Sequence, residues 1–317
     1  MSEGGFLGFL KNIFGGKSGG SKTDEAAVAL FEAVNSGRVN SLRAVVESGV
    51  DINSKDGERG WTGLMWAAYN KNYEVAYYLI SKGADVNAKN FNDITALMLA
   101  SSEGSKELVE LLLNKGADAN AKSKSGDNPL MWAIEKGHRE VVNLLISKKA
   151  DTNAITANGK TTLMFASEKG HKDIVNLLLS KGCNVNAKAN NGRTALMEAS
   201  DAGYKEIISL LIAKGADVNA KDNTGFTAMM FAAGKDFVEI IDLLVSKGAD
   251  INAKRYGNYT TLMFAAEKGK LNVVKYLLSK HADVNAKANN GKTALQMAIK
   301  SNNAEMVELL KKAGAKE

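Results

Sequence analysis

The sequence predicts an all-α fold in which pairs of helices stack into one solenoid, and three observations support this prediction. First, a 33-residue unit, seen in residues 159–191 as GKTTLMFASEKGHKDIVNLLLSKGCNVNAKANN, recurs seven times without a gap between Gly60 and Asn290. Second, each unit contains two segments with apolar residues at helical spacing, such as Ile174, Val175 and Leu178. Third, turn and capping residues bound both segments. A chain of 317 residues could form two globular domains, but the fixed period indicates a single stack of repeats instead.

The repeats divide the chain into a central array and two end pieces. The full repeats are 60–92, 93–125, 126–158, 159–191, 192–224, 225–257 and 258–290. We interpret residues 24–59 as a degenerate N-terminal cap and residues 291–317 as a shortened C-terminal cap, together forming a repeat domain over 24–317. Terminal repeats have one neighbour only and need a more polar outer face, which Lys300, Lys311, Lys312 and Lys316 can supply.

Each repeat begins with a turn residue followed by a helix cap. The turn position holds Gly60, Asp93, Gly126, Gly159, Gly192, Gly225, Asn258 and Gly291. These residue types tolerate positive φ. Two residues later stand Thr62, Thr95, Asn128, Thr161, Thr194, Thr227, Thr260 and Thr293. Their side-chain oxygens can cap a first helix, so each unit is predicted to run helix, turn, helix and hairpin-like loop.

A second glycine row is predicted to end the first helix in a left-handed conformation. Its members are Gly37, Gly104, Gly137, Gly170, Gly203 and Gly269. Lys71, Asp236 and Asn302 interrupt the row. Because defects stay local in repeat proteins, we predict faster hydrogen exchange in the units that contain Lys71 and Asp236 than in the other full repeats.

With this period and these helix-start motifs, the unit resembles the ankyrin repeat. The family usually opens its first helix with TPLH, whereas the tetrapeptide here is mostly TALM, and only Pro129 keeps the proline. The histidine is replaced by Met65, Met98, Met131, Met164, Met197, Met230 and Met263. Methionine fills irregular gaps in a core, so we interpret this row as buried packing. The alternative, a copper-binding thioether ladder, would need sulfurs gathered at one exposed point.

Residues that could support catalysis are few. His138 and His171 begin second helices, where the family commonly has histidine, and His281 takes a helix-ending glycine position. Cys183 replaces a recurring alanine and is interpreted as a small apolar residue. We find no phosphate-binding loop, metal-spaced cluster or serine elbow in the sequence. The prediction is a protein that is not an enzyme and holds no cofactor or metal.

The formal charge of +6 raises the alternative of nucleic-acid binding. Two lysine rows recur with the period: Lys82, Lys115, Lys148, Lys181, Lys214, Lys247 and Lys280 form one, and Lys55, Lys89, Lys122, Lys188, Lys221, Lys254 and Lys287 form the other. Aspartates such as Asp217 and Asp250 recur between them and weaken the field that phosphates need. We interpret the rows as solvated faces, so no nucleic-acid partner is expected.

Positions that keep the period but vary in residue type indicate the binding residues. The resemblance implies that turn tips and first-helix ends line a concave partner face. The predicted partner-binding residues are Trp61, Tyr69, Phe91, Ile94, Lys160, Arg193, Phe226, Arg255, Tyr256 and Tyr259. Exposed aromatics and arginine are typical of interface hot spots, and drift at surface positions is the alternative. We expect two exposed aromatic patches roughly 40 Å apart, given helix spacings of about 8–10 Å.

The first 23 residues form a separate segment. One helical face would carry Phe6, Leu7, Phe9, Leu10, Ile13 and Phe14. Such a short apolar face cannot bury itself, so a membrane surface, a partner and the end of the repeat stack all remain open as its contact. Residues 15–22, GGKSGGSK, are predicted to be a flexible tether.

Composition and apolar run lengths bear on location and assembly. A single cysteine fits a reducing compartment. The sequence contains neither a signal-peptide pattern nor an apolar run of about eighteen residues, the length needed to span a membrane. We therefore expect a cytoplasmic monomer that binds a protein partner, with peripheral membrane attachment through residues 6–14 as an alternative.

Overall fold

The computed structural model describes residues 22–316, so the predicted apolar face at residues 6–14 lies outside the described residues. Eighteen helices and two short strands occupy this range. The chain divides into two compact units: unit 1 ends at Ala157 and unit 2 begins at Asn158. Each is built from the helix–turn–helix repeats that the sequence predicts.

Unit 1 contains four helix pairs. The first helices of its repeats are α1 (Lys22–Ser36), α3 (Gly63–Tyr69), α5 (Ala96–Ser102) and α7 (Pro129–Lys136). The second helices are α2 (Val39–Glu47), α4 (Tyr73–Ser81), α6 (Lys106–Asn114) and α8 (Arg139–Ser147). Helix α1 begins at Lys22, so this residue belongs to the repeat fold and not to the predicted tether.

Unit 2 contains five helix pairs and one hairpin. Its first helices are α9 (Thr162–Lys169), α11 (Ala195–Ala202), α13 (Ala228–Gly234), α15 (Thr261–Glu267) and α17 (Ala294–Lys300). Its second helices are α10 (Lys172–Ser180), α12 (Lys205–Ala213), α14 (Val238–Ser246), α16 (Leu271–Ser279) and α18 (Ala304–Lys312). Strands β1 (Lys254–Arg255) and β2 (Tyr259–Thr260) pair antiparallel ahead of α15, with Arg255 opposite Tyr259.

The predicted caps start the first helices. In α9, Thr161 accepts a hydrogen bond from the backbone N–H of Met164 at 3.2 Å, and in α7 Asn128 accepts one from Met131 at 2.9 Å. Pro129 occupies the first turn of α7, where its missing N–H costs nothing. In the seven full repeats the methionine that follows the cap by three residues points into the stack, and the whole methionine row is at most 1% exposed, whereas Gln296 at the equivalent position of the last helix pair is exposed. The packing interpretation of this row is confirmed.

The left-handed backbone positions are retained even where glycine is absent. Lys71, Asp236 and Asn302 have φ values of 58°, 65° and 54°. Glycine also makes room at this site, because a Cβ on Gly104 would stand 2.5 Å from the ring of His138. The irregular units therefore keep the backbone geometry, and their faster hydrogen exchange remains a prediction.

A third left-handed position follows each second helix and offers a stability test. Lys149 adopts φ 66° there, whereas Gly116, one repeat earlier, has φ 87° and open space around a built Cβ. A left-handed backbone costs a non-glycine residue about 1–2 kcal/mol in the folded state. Changing that residue to glycine removes this cost but stabilises the unfolded state by roughly 0.4–1 kcal/mol through added conformational entropy. The first effect is the larger one. We expect Lys149→Gly to raise the free energy of unfolding by up to about 1 kcal/mol, measured by urea denaturation. The matched change Gly116→Lys should lower it, and a stabilising Gly116→Lys would contradict this account.

Asparagines in the loops join successive repeats. Asn219, for example, donates to the carbonyl of Gly248 at 3.0 Å and accepts from the N–H of Asp250 at 2.8 Å. Asn87 makes the equivalent pair of bonds to Gly116 and Asp118. These bonds satisfy loop backbone groups that have no helical partner, and so they fix the turns from which the first helices project.

Candidate functional site

Three aromatic rings lie together where the second repeat of unit 1 begins. The ring centroid of Trp61 is 4.8 Å from that of Trp66 and 5.4 Å from that of Tyr69. The buried Asp56 accepts a hydrogen bond from Trp66 Nε1 at 3.1 Å and another from the backbone N–H of Trp61 at 3.2 Å. The guanidinium of Arg59 lies 5.4 Å from the Trp61 ring centroid. The turn and α3 thus hold one aromatic cluster with a cation above it.

Two of the predicted contact residues are buried, and the expectation that they are exposed is wrong. Trp61 is 6% exposed because it packs against Trp66, and Tyr259 is 9% exposed. Burial is the main cause that raises the pKa of the Tyr259 hydroxyl, which also donates a hydrogen bond to Glu267 at 2.8 Å. The sequence alone could not distinguish these buried rings from exposed aromatic residues, because both lie at turn positions. Their role in binding remains a prediction.

Other predicted aromatic residues are accessible. Tyr69 is 40% exposed, Phe91 52% and Tyr256 71%, whereas Ile94 is only partly exposed. Phe91 also has a structural contact, since its ring lies 2.6 Å from the place where a Cβ on Gly60 would stand. Exposed rings on these turns are available to a partner without unfolding the repeat.

Unit 2 has its own aromatic cluster on the first helices. The ring of Phe226 lies 5.4 Å from that of Phe231 and 5.2 Å from that of Phe264, centroid to centroid. The guanidinium of Arg255 lies 5.0 Å from the centroid of Phe226 and 4.4 Å from that of Tyr259. Three residues predicted from the sequence, Phe226, Arg255 and Tyr259, therefore meet in one place.

A cluster of charged residues lies beside this aromatic cluster, and Phe231 contacts both. Arg193 donates from Nη2 to Glu198 at 2.9 Å and to Asp201 at 3.0 Å, and its guanidinium lies 4.2 Å from the centroid of Phe231. Lys235 lies 3.8 Å from Asp201. These charged groups line an open cavity of about 380 Å³. Burial lowers the pKa of Arg193, but its carboxylate partners outweigh that effect and leave the pKa raised.

Lys160, another predicted contact residue, is a second cation among the charged residues of unit 2. Its ammonium forms an ion pair with Glu168 and lies 4.7 Å from the ring centroid of Phe165. Lys160 and Arg193 each have a carboxylate beside them, so this part of unit 2 carries both positive and negative charges. The distance predicted between the aromatic patches spans both units and remains a prediction.

Sequence reasoning missed a row of residues directly after the methionines. Its members are Trp66, Leu99, Trp132, Phe165, Glu198, Phe231 and Phe264. The signal was the same period of 33 residues that revealed the methionines, with large rings at five of seven positions. Glu198 is the one carboxylate in this row, which explains why the charged cluster forms around it. We call the partly exposed side chains of these first helices, with their preceding turns, the first-helix face.

The position of Glu198 predicts a pH dependence of stability. Burial is the main cause that raises the pKa of this carboxyl above its ordinary value, against the opposing attraction of Arg193 and Lys160. The folded state therefore favours the protonated form, whose contribution to stability is lost as the pH rises through the folded-state pKa. We expect the free energy of unfolding of the parent, relative to that of Glu198→Gln, to fall as the pH rises above the ordinary glutamate pKa of about 4.3. Denaturation of both proteins at pH values below and above this pKa measures it; a rising difference would contradict the prediction.

The remaining sequence candidates have structural roles. His138 bonds through Nε2 to the carbonyl of Ser102 at 2.8 Å, and Cys183 is buried as a small apolar residue would be. Lys188 donates to the carbonyl of Lys221 at 2.8 Å, and Lys221 to that of Lys254 at 2.8 Å. At these positions the lysine ammonium groups connect neighbouring turns through hydrogen bonds to backbone carbonyls, in addition to facing solvent.

Two kinds of feature are absent from the described part of the chain. Within residues 22–316, His, Cys, Asp and Glu side chains do not gather into any group of three that could hold a metal ion. None of the helices in that range has the length and apolar character required to span a bilayer.

Comparison with known proteins places these repeats in a family. A family model for ankyrin repeats (3 copies) matches residues 2–90, 97–189, 163–255 and 255–317. Relatives include ankyrin repeat and SAM domain-containing protein 6 of Rattus norvegicus, 38% identical over 72 residues, which are 23% of this chain and 8% of that protein.

Two further relatives match short stretches. Ankyrin repeat domain-containing protein 40 of Mus musculus is 43% identical over 56 residues, which are 18% of this chain and 15% of that protein. Protein phosphatase 1 regulatory subunit 27 of Homo sapiens is 45% identical over 62 residues, 20% of this chain and 40% of that protein. The matches span less than half the length of each relative, so they inform the repeat and not a whole-protein activity. The repeated helix pairs and the family match together show that the chain belongs to the ankyrin-repeat family, whose members are generally protein–protein interaction modules.

Proposed function

We propose that this protein is a non-catalytic scaffold that binds a protein partner through the first-helix face, the concave face of the ankyrin fold. The observation that carries the proposal is the gathering of rings and cations at that face. In unit 1 the exposed Tyr69 lies against the buried Trp61 and Trp66, and in unit 2 Arg255 lies over the partly exposed Phe226. Aromatic and arginine side chains dominate interface energetics. A relative named as a phosphatase regulatory subunit supports a binding role.

The charge pattern favours a protein over a nucleic acid. Arg193 and Lys160 have carboxylates beside them, and the ammonium groups of Lys188 and Lys221 are engaged by backbone carbonyls. A nucleic-acid surface would need cations left available to phosphates. The mixed charge on the first-helix face suits the polar rim of a protein interface.

Paired tyrosine variants test the proposal without disturbing the core. On the first-helix face, Tyr69 and Tyr256 are 40% and 71% exposed; on α4, a second helix, Tyr73 and Tyr77 are 44% and 53% exposed. Affinity capture from nuclease-treated extract, quantified by mass spectrometry, would compare Tyr69→Ala/Tyr256→Ala with Tyr73→Ala/Tyr77→Ala. We expect only the first pair to lose the captured protein, since interface aromatics commonly cost 2 kcal/mol or more when truncated. Loss confined to the second pair would contradict it.

As the alternative, we propose a scaffold attached peripherally to a membrane through residues 6–14; a cytoplasmic location and a monomeric state are proposed in either case. Membrane attachment is supported by the helical spacing of the apolar residues in that segment. Flotation with anionic and neutral vesicles, using the full chain and a variant that lacks residues 1–23, measures the contribution. Equal flotation of both proteins would contradict the tether, and light scattering measures the oligomeric state.

A further inference from the structure

Two arginines on the first-helix face of unit 2 differ in what surrounds them. Arg193 lies over Phe231 and donates hydrogen bonds to the carboxylates of Glu198 and Asp201. Arg255 lies over Phe226 and Tyr259, at 5.0 and 4.4 Å from their ring centroids. Within residues 22–316, the guanidinium of Arg255 has neither an ion pair nor a hydrogen-bond acceptor, whereas the buried Nε donor lacks a partner in both arginines. One guanidinium is neutralised within the fold and the other is not.

The carboxylates near Arg255 accept hydrogen bonds from other groups and form no ion pair with its guanidinium within residues 22–316. Glu267 accepts the hydroxyl hydrogen of Tyr259 at 2.8 Å, and Asp222 accepts from the backbone N–H groups of Thr224 and Phe226 at 2.8 and 2.9 Å. The adjoining Lys254 is exposed and adds a second positive charge beside Arg255. Within residues 22–316, Arg255 therefore keeps an unpaired guanidinium on a face where Arg193 is already paired.

The backbone holds this cation in place. Arg255 pairs with Tyr259 across the β1–β2 hairpin, and the N–H of Tyr256 donates to the carbonyl of Thr224 at 3.3 Å. On the other side, the N–H of Asn289 donates to the carbonyl of Gly257 at 2.8 Å. A hairpin tied to both neighbouring turns fixes the backbone of Arg255, and the two rings packed against its guanidinium restrict the side chain, which lowers the entropy cost of binding.

Deepening the proposed function, we infer that Arg255 receives an aspartate or glutamate carboxylate from an acidic segment of the protein partner, with the exposed Tyr256 packing beside it. A planar guanidinium presents its donors in a fork that matches a carboxylate.

A peptide selection tests this inference, with a phage-displayed library of random dodecapeptides as the probe and the full chain as bait. Affinities of the enriched peptides are measured by fluorescence anisotropy against the parent, Arg255→Gln and Arg139→Gln, the last a matched loss of charge on the second helix α8. We expect enriched peptides to share an acidic residue and to lose at least about tenfold in affinity with Arg255→Gln, and little with Arg139→Gln. Arg255→Lys should give an intermediate loss because it keeps the charge without the fork.

A double-mutant cycle identifies the pair. Changing the shared acidic residue of the peptide to its amide should weaken binding to the parent as much as Arg255→Gln does, and should have little further effect on the variant. Independent, additive losses would overturn the inference. So would tighter, Arg255-dependent binding of a 20-nucleotide single-stranded DNA. Peptides whose binding depends on Tyr69 and Tyr256 but not on Arg255 would contradict this inference and leave the proposed function intact. If no enriched peptide depends on the first-helix face for binding, the result counts against both.

Discussion

Replacing Trp61 by alanine is expected to lower the free energy of unfolding by about 3–5 kcal/mol, the range for truncating a buried aromatic side chain. Trp61 is 6% exposed and packs against Trp66 and Tyr69. Its removal would open a cavity over the buried Asp56, whose carboxylate depends on the local packing to keep its hydrogen bonds to Trp66 and the turn. Urea denaturation followed by circular dichroism measures the loss.

The control for Trp61 is another ring in the same repeat. Phe91 is 52% exposed, so Phe91→Ala removes less buried area and is expected to cost under about 1.5 kcal/mol at the usual area coefficient. Since stability in a repeat protein is close to a sum of local terms, hydrogen exchange in Trp61→Ala should increase mainly in the first two repeats of unit 1. A Trp61→Ala variant as stable as the parent would show that this indole is not part of the core.

The second large effect concerns the methionine row. Met164 is fully buried at the start of α9, and Met164→Ala is expected to cost about 2–5 kcal/mol through lost burial and the remaining cavity. Met164→Leu conserves volume and should cost less than about 1.5 kcal/mol. Both are measured by denaturant unfolding. If Leu were as damaging as Ala, the thioether itself would matter more than its volume.

The repeat architecture was predictable from sequence because its causes are local and recur with one period. Threonine caps, turn glycines and apolar stripes each act within a few residues, so Thr161 and Gly159 could be assigned from their own neighbours. The burial of Met164 followed from its fixed distance to the cap. Even the irregular positions Lys71 and Asp236 were identified, since a break in a periodic row is visible without coordinates, and both keep a left-handed backbone.

The candidate site was predictable only in part. Phe226, Arg255 and Tyr259 were singled out as contact residues, and the structure brings them together. The rings of Phe231 and Phe264 were missed. Each directly follows a residue of the methionine row, and that row was interpreted only as buried packing, so the positions next to it were not considered as contact residues. Exposure was harder still, because residues at one turn position, Trp61 and Phe226, differ in burial according to which rings surround them.

By itself the sequence determined the period, the helix pairs, the caps and the buried methionine row, because each depends on short-range backbone geometry and spacing. Only the tertiary structure decided which aromatic residues are covered and which cations are neutralised. Trp61 is buried by Trp66, and Arg193 is paired with Glu198 and Asp201, whereas Arg255 has no carboxylate partner within residues 22–316. These differences arise from side chains that meet across helices and turns, and the distances between such side chains are set by packing rather than by any pattern along the chain.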